Sequence, residues 1–214
     1  MIRVALVDDQ PLFRGGIAMI LESQPDIEVV AQESSALGVA TMVATARPDV
    51  ILMDVRMPGV DGITATSALV RELGDAAPRI LVLTTFDVDE AAASAIEAGA
   101  SGFVLKDAQP DFLLAAVRAV ADGSQVVAAS ATRQLFERHR TRRATEPGPE
   151  YDGLTPRERE ILVRAARGLS NAEIAAAEFL SEATVKTHIS RIFAKLGLRD
   201  RVQLVVYAYE HDLV

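Results

Sequence analysis

Four aliphatic runs near the start of the chain each end in a chemically distinctive side chain. Asp8-Asp9 follows Ile2–Val7, Asp54 follows Val50–Met53, Thr84 follows Ile80–Leu83, and Lys106 follows Gly102–Leu105. Aliphatic runs of this length, separated by amphipathic stretches as long as a helix, are typical of buried strands in a parallel sheet. The pattern predicts a doubly wound α/β domain.

The polar groups at these four strand ends are expected to lie together, because the carboxyl ends of such strands face one crevice. Neighbouring carboxylates repel one another, and Mg²⁺ relieves that repulsion by taking their oxygens as ligands. One carboxylate can then attack phosphorus, while the hydroxyl and the ammonium hold the transferred oxygens. Each aspartate alone could equally start a loop or cap a helix. Their occurrence together at the strand ends favours a magnesium-dependent phosphoryl site.

Four motifs then carry a resemblance to the receiver domain of two-component response regulators. They are VALVDDQ at Val4–Gln10, DVRMPGVDG at Asp54–Gly62, LTTFD at Leu83–Asp87 and AGASGFVLKD at Ala98–Asp107. The resemblance implies a five-stranded parallel, flavodoxin-like sheet. It also implies a role for each polar residue: Asp54 as phospho-acceptor; Asp8, Asp9, Asp54 and the backbone carbonyl of Arg56 as Mg²⁺ ligands; Thr84 and Lys106 as phosphoryl-binding groups; and Phe103 as the switch aromatic.

Phe103 also has a simpler interpretation, as an ordinary aromatic residue of a buried strand. It has no hydroxyl group, so any switching by this side chain must be steric.

Composition agrees with a protein of the bacterial cytoplasm. The 214 residues suffice for one or two domains, and half of them are hydrophobic. No apolar run is long enough for a transmembrane helix, and the first residues enter a strand directly, without a signal peptide. The absence of cysteine excludes disulfides and thiolate metal sites.

The net charge of −8 is unevenly distributed along the chain. Residues 1–130 hold 18 acidic and 8 basic residues, whereas residues 151–214 hold nine of each. The segment Ala183–Gln203 contains five basic residues and a single acidic residue, Asp200. Such a local excess of positive charge in a neutral domain indicates a surface for nucleic acid.

Residues 123–152 are predicted to form a short helix, Ser130–Glu137, and a linker. The basic cluster Arg138–Arg143 precedes the segment Glu146–Glu150, which contains two prolines and cannot continue a helix. The cluster is interpreted as a solvated tether, with a DNA-contacting arm as the alternative.

The last 60 or so residues predict four helices. Thr155, Pro156 and Glu158 form the start signal of the first, with a capping box. Ser170 can cap a second helix, Asn171–Glu178, and Ser181 a third that runs to Gly197; a last one begins near Arg199. Two helices joined by a three-residue turn, the second basic on its outer face, predict a helix-turn-helix.

This region resembles the LuxR-type helix-turn-helix, through LTPRERE at Leu154–Glu160, GLSNAEIA at Gly168–Ala175 and SEATVKTHISRIFAKLGLRDR at Ser181–Arg201. Joined to a receiver, it implies a response regulator of the NarL/FixJ type, with domains at 1–122 and 153–214. Glu178 stands where the family usually has leucine, and Asp212 where it often has glycine. A buried charge is costly, so either Glu178 points to water at an early helix end or Phe179 fills the gap.

The resemblance implies two further sets of residues. Lys186, Thr187 and Ser190 are the expected base readers, and Thr184, Arg191, Lys195 and Arg199 the expected phosphate contacts. For each basic residue, a solvated helix face is the alternative. Leu198, Val202, Val205, Val206 and Tyr209 form one helical stripe that serves the core and, by resemblance, the dimer contact.

The function implied is a transcription regulator, not an enzyme, in which a sensor histidine kinase phosphorylates Asp54. Phosphorylation is expected to favour a homodimer on double-stranded DNA carrying an inverted repeat, with RNA polymerase as a further candidate partner and no membrane partner. The rival is an aspartyl-phosphate phosphatase of the haloacid dehalogenase style. Such enzymes need an acid two residues after the nucleophile, where this chain has Arg56.

Overall fold

The computed structural model describes residues 1–84, 94–122 and 147–214. The chain divides between residues 124 and 125 into two compact units, which are described separately. The predicted helix Ser130–Glu137 and the basic cluster Arg138–Arg143 lie outside the described residues, as do the last three residues of the LTTFD motif.

The first unit is built on a five-stranded, all-parallel sheet. Its strands are β1 (Ile2–Val7), β2 (Ile27–Glu33), β3 (Val50–Asp54), β4 (Arg79–Thr84) and β5 (Gly102–Leu105). The strand order is β2-β1-β3-β4-β5, which is the flavodoxin-like order. This confirms the predicted fold class.

Helices cover both faces of the sheet. Successive side chains of each strand point to opposite faces and therefore belong to two separate cores. Val4 and Leu6 of β1 belong to the core shared with helices Pro11–Glu22 and Pro110–Ala121. Ala5 and Val7 face the opposite core, which contains residues of helices Val39–Ala46 and Gly62–Leu73. Short 3-10 turns occur at Ala36–Gly38 and Gly74–Ala76. All five residues of β3 are buried, as expected for the central strand of a sheet covered on both faces.

Among its described residues, the second unit contains helices joined by short turns and no strand. Its helices are Pro149–Asp152, Pro156–Ala166, Asn171–Glu178, Glu182–Leu196 and Arg201–Glu210. One core holds them together, and its fully buried members include Ile161, Leu162, Ile174, Val185, Ile192 and Leu204. Capping boxes at Thr155 and Ser170 and the side-chain cap of Ser181 fix the helix starts that the sequence predicts.

The short Pro149–Asp152 helix falls within the segment predicted as linker. Its Tyr151 packs against the core of the second unit. The guanidinium of Arg159 lies 4.6 Å from the centroid of the Tyr151 ring and donates to the Tyr151 carbonyl at 3.2 Å. These contacts make the end of this segment part of the helical unit.

Among the described residues, no helix combines the length and the apolar character that a membrane crossing requires.

Candidate functional site

The ends of β1 and β3 bring three carboxylates together. Val7 lies opposite Met53 in the parallel register, so the residues that follow, Asp8 and Asp54, end up side by side. Asp8, Asp9 and Asp54 each offer an oxygen, and these atoms lie within 4.8 Å of one another. Asp8 is 1% exposed and Asp54 is 3% exposed. The strand pattern predicts this convergence, and the structure confirms it.

Lys106, after β5, completes the cluster. Its Nζ donates to Asp54 Oδ2 at 2.8 Å and contacts Asp8 Oδ2 at 2.7 Å. The Lys106 backbone N–H donates to the carbonyl of Thr84 at 2.8 Å, which fixes the start of its loop to the end of β4. All four strand ends thus meet at one site.

The donor set fits a hard divalent cation. Asp8 Oδ1 accepts the N–H of Gln10 at 2.8 Å, and Asp54 Oδ1 accepts the N–H of Arg56 at 3.3 Å. By contrast, Asp8 Oδ2 and Asp9 Oδ1 are buried and accept no hydrogen bond, and Asp8 Oδ2 forms an ion pair with Lys106. Buried carboxylate oxygens that accept no hydrogen bond are suitable ligands for Mg²⁺.

The charges of the cluster are only partly balanced. Burial raises the pKa of Asp54 above its ordinary value, and the hydrogen bond from Lys106 does not fully offset this. Burial acts to lower the pKa of Lys106, but Asp54 and Asp8 outweigh burial and raise that pKa. One ammonium therefore serves more than one carboxylate, and a cation at this site would stabilise the ionised form of Asp54.

The last residue of the DVRMPGVDG motif, Gly62, lies where a side chain would not fit. Its N–H donates to the carbonyl of Val55 at 2.9 Å. A Cβ at this position would lie 1.9 Å from the carbonyl oxygen of Asp54 and 2.9 Å from the Met53 side chain. Asp61 caps the Gly62–Leu73 helix by accepting the N–H of Thr64 at 2.8 Å. The backbone of Gly62 thus lies directly against the backbone of Asp54.

Thr84 and Phe103 lie at the positions that the strand pattern predicts. Thr84 is buried at the end of β4, beside the cluster. Phe103 pairs with Val82 across β4 and β5, and its half-buried ring packs on the core that contains helix Gly62–Leu73. This location is compatible with a switch aromatic and with an ordinary aromatic residue of a buried strand.

Sequence reasoning missed two residues that contact the cluster from helix Pro11–Glu22. The ring centroid of Phe13 lies 4.7 Å from Lys106 Nζ, and Arg14 donates to the carbonyl of Asp8. Phe13 has the spacing of an ordinary core residue. The available signal was the helix start at Pro11, two residues after Asp9, which places both residues in the first turn beside the strand end.

In the second unit, helices Asn171–Glu178 and Glu182–Leu196 are joined by three residues, as the helix-turn-helix prediction requires. Lys186, Thr187, Ser190 and Arg191 are exposed on the second helix, and Thr184 is half-buried. The hydroxyls of Thr187 and Ser190 donate to carbonyls of their own helix, at 2.9 and 3.0 Å. The outer face of this helix is therefore polar and accessible within the unit.

Lys195, one of the predicted phosphate contacts, has partners within its own unit. Its ammonium donates to Glu158 Oε2 at 2.7 Å and to the carbonyl of Gly153 at 3.1 Å. Burial acts to raise the pKa of Glu158, but Lys195 and the N–H of Thr155 outweigh burial and hold that pKa below its ordinary value. Lys195 therefore ties the helix that carries the predicted base readers to the Pro156–Ala166 helix.

Glu178 corrects an expectation from the sequence. The Asn171–Glu178 helix does end there, but the carboxylate does not point to water: it forms ion pairs with Arg157 and Arg164. Phe179 does not fill the gap, since it is 96% exposed, with a left-handed backbone at φ 55°. Both predicted alternatives for the surroundings of Glu178 are wrong.

Asp212 adopts the conformation expected of the glycine it replaces. Its φ is 51°, in the left-handed region that favours glycine and that aspartate tolerates better than most residues.

The predicted dimer stripe is largely covered in the single chain. Val202, Val205 and Val206 are buried, whereas Leu198 and Tyr209 are partly exposed.

Comparison with known proteins agrees with both halves of this geometry. A family model described as "Response regulator receiver domain" matches residues 4–118, and one described as "Bacterial regulatory proteins, luxR family" matches residues 152–208. The first match alone covers more than half of the chain.

The chain is a response regulator with a LuxR-type DNA-binding domain.

Relatives of this response regulator match it over its full length. The transcriptional regulatory protein LiaR of Bacillus subtilis (strain 168) is 41% identical over 214 residues, which are 100% of both chains. The response regulator protein VraR of Staphylococcus aureus (strain NCTC 8325 / PS 47) is 37% identical and covers 100% of this chain and 99% of its own. The names of both describe regulators rather than enzymes, which weakens the phosphatase alternative.

Solved structures give the same assignment. The response regulator ChrA of a heme-sensing two-component system is 40% identical, with a TM-score of 0.53, and the match covers 100% of this chain and 98% of ChrA. The response regulator in a structure of the RcsB–DNA complex is 25% identical, with a TM-score of 0.58, and covers 98% of both chains.

Proposed function

We propose that a sensor histidine kinase phosphorylates Asp54 of this response regulator, and that phosphorylation controls sequence-specific DNA binding and transcription. The observation that carries this proposal is the position of Asp54. Its carboxylate is buried at a strand end, one oxygen accepts from Lys106, and two buried carboxylate oxygens that accept no hydrogen bond, Asp8 Oδ2 and Asp9 Oδ1, lie beside it. This arrangement supplies a nucleophile, a cation for the transferred oxygens and ligands for a metal.

Asp8, Asp9 and Asp54 would hold Mg²⁺, with the backbone carbonyl of Arg56 as a further ligand. When bound, the ion supplies positive charge that keeps Asp54 ionised and offsets the charge of the incoming phosphoryl group. Lys106 then donates to a phosphoryl oxygen in place of Asp54 Oδ2, and Thr84 donates its hydroxyl to another. Phe103, on the neighbouring strand, is proposed to respond to the change at Thr84 by moving within its half-buried position.

The DNA-binding half of the proposal rests on the exposed polar face of helix Glu182–Leu196. Lys186, Thr187 and Ser190 are proposed to read base edges in the major groove, and Thr184, Arg191 and Arg199 to hold phosphates. Lys195 orients this helix through its ion pair with Glu158. The Lys195 ammonium can therefore contact a phosphate only while it also keeps its contact with Glu158. A two-fold homodimer would then protect an inverted repeat with half-site centres about 10 base pairs apart.

Phosphorylation is proposed to favour that homodimer, with Leu198, Val202, Val205, Val206 and Tyr209 at the contact. A cytoplasmic location and contact with RNA polymerase belong to the same proposal. A coupling free energy of about 1–3 kcal/mol between phosphorylation and DNA binding would suffice for regulation.

The first experiment tests the acceptor. With acetyl phosphate and Mg²⁺, the wild type is expected to gain one phosphoryl group, seen by intact mass, and Asp54→Asn to gain none. Asp107→Asn is the matched control, because Asp107 is exposed and lies outside the carboxylate cluster. Labelling of Asp54→Asn at the wild-type level would overturn the assignment of Asp54.

The second experiment tests regulation. Phosphorylated wild type is expected to bind its operator more tightly than unphosphorylated wild type, in a fluorescence anisotropy titration at fixed salt. Equal affinities would remove phosphorylation control from the proposal and leave DNA binding in place.

A further inference from the structure

Phe13 presents its ring to the ammonium of Lys106. The distance from Nζ to the ring centroid is 4.7 Å, within the range of a cation–π contact. The same ammonium lies 2.8 Å from Asp54 Oδ2 and 2.7 Å from Asp8 Oδ2. Two carboxylates and one aromatic face thus surround this cation, whose side chain is only 9% exposed.

The ring is held firmly against the cluster. Phe13 packs on the core shared with helix Pro110–Ala121. The first turn of its own helix is attached to Asp8 on both sides: the N–H of Gln10 donates to the Asp8 carboxylate, and Arg14 donates to the Asp8 carbonyl. Because Phe13 is attached to Asp8 in this way, a Lys106 ammonium that moves away from Asp8 also changes its distance from the Phe13 ring.

We propose that Phe13 is a positioning residue that holds the Lys106 ammonium between Asp54 and Asp8, and thereby sets how strongly this lysine competes with a divalent cation for the two carboxylates. The inference rests on the metal site of the proposed function and extends it to a residue outside the acidic cluster. Mg²⁺ at Asp8 competes with the ammonium for the negative charge of this carboxylate, because two cations beside the same carboxylate repel each other. Phe13 stabilises the arrangement that Mg²⁺ disrupts.

The expected effect follows from the size of the contact. Phe13→Leu removes the aromatic face while keeping an apolar side chain, so Mg²⁺ should bind more tightly by roughly two- to fivefold, the change equivalent to about 0.5–1 kcal/mol for a cation–π contact. Phe13→Tyr keeps the face and should bind Mg²⁺ as the wild type does. Phe13→Met is a second variant without the ring, for use if Phe13→Leu does not fold.

Calorimetric titration with MgCl₂ measures these affinities. Phe193→Leu is the control, since Phe193 is also a half-buried aromatic residue but packs in the core of the second unit. The decisive comparison repeats Phe13→Leu in a Lys106→Met background, where the substitution should leave Mg²⁺ affinity unchanged. An equal gain in both backgrounds, or no gain in the wild-type background, would overturn the proposal.

A metal-free measurement separates this proposal from the metal site itself. In the absence of Mg²⁺, the side-chain ¹H–¹⁵N signal of the Lys106 ammonium should be observable in wild type and Phe13→Tyr, through slowed exchange with water, and lost in Phe13→Leu. Retention of the signal in Phe13→Leu would contradict the role of Phe13. If wild type binds no Mg²⁺ while the ammonium signal behaves as expected, the metal site fails and the positioning of Lys106 stands.

Discussion

The ammonium of Lys195 lies 2.7 Å from Oε2 of Glu158, a residue that is 2% exposed. The same oxygen accepts the N–H of Thr155 at 2.8 Å. One carboxylate thus completes the capping box of the Pro156–Ala166 helix and fixes the end of the Glu182–Leu196 helix. A residue expected to contact DNA phosphates has a structural partner within its own unit.

Lys195→Met should destabilise the DNA-binding unit, because it leaves a buried carboxylate without its cation. The lysine end of the pair is more than one third exposed, and solvent screening reduces the effect to roughly 1–2 kcal/mol. All three tyrosines lie at positions 151, 207 and 209, so tyrosine fluorescence during urea unfolding reports on this unit alone. Arg191→Met, on the exposed face of the same helix, is the control and should unfold like the wild type.

The stability of this unit should depend on pH through Glu158. Its pKa in the folded state lies below the ordinary value of 4.5, so its stabilising contribution is complete above that value and is lost as pH falls through the folded-state pKa. In Lys195→Met the largest pKa-lowering contact is gone. The stability difference between wild type and variant should therefore shrink as the pH falls below 4.5, and a difference that is constant with pH would contradict the role of this ion pair.

Gly62→Ala should disrupt the acceptor site, because its Cβ would lie 1.9 Å from the carbonyl oxygen of Asp54. We expect a loss of roughly 2 kcal/mol or more in stability, together with slow phosphorylation of Asp54. Gly16→Ala is the matched control, since nothing lies within 4 Å of its Cβ position in helix Pro11–Glu22. That substitution should stabilise by about 0.5–1 kcal/mol, as measured by urea unfolding followed by far-UV circular dichroism.

Glu178→Gln should weaken the attachment of the first helix of the helix-turn-helix. The carboxylate pairs with Arg157 and Arg164, and these contacts hold the pKa of Glu178 below its ordinary value although burial acts to raise it. Because salt screens partly exposed ion pairs, the loss of stability in the variant should be largest at low ionic strength and smaller in high salt. A deficit that does not change with salt would show that packing, not charge, is the contribution of Glu178.

Lys186→Ala should reduce affinity for the cognate operator by roughly 1–3 kcal/mol and relax sequence preference, as expected for a lost base-edge contact. Arg191→Ala should instead weaken binding to all sequences alike and make the salt slope shallower by about one unit. Titrations against salt on cognate and scrambled duplexes distinguish the two. If Lys186→Ala leaves affinity and preference unchanged, the basic cluster at Arg138–Arg143 becomes the next candidate for DNA contact.

The strand ends and the helix starts could be predicted from the sequence because both are local properties. A hydrophobic run that ends in Asp54 or Lys106 shows where a parallel strand stops, and parallel strands bring their ends to one edge. A capping box such as that of Thr155 and Glu158 involves only four consecutive residues, so it can be recognised in the sequence. Four strands, their common direction and the meeting of their polar ends therefore followed from the pattern, whereas the fifth strand, Ile27–Glu33, was implied only by the family resemblance.

The partners of individual charged side chains were decided by tertiary structure. The sequence suggested that Lys195 contacts solvent or DNA, whereas packing places it beside Glu158. It suggested that Glu178 points to water, whereas packing places two arginines beside it. Phe13 has the spacing of a core residue, and only the packing of its helix against the strand ends put its ring next to Lys106. Coulomb and cation–π energies depend on distances of a few ångströms between groups far apart in sequence, and such distances are fixed only when the elements pack.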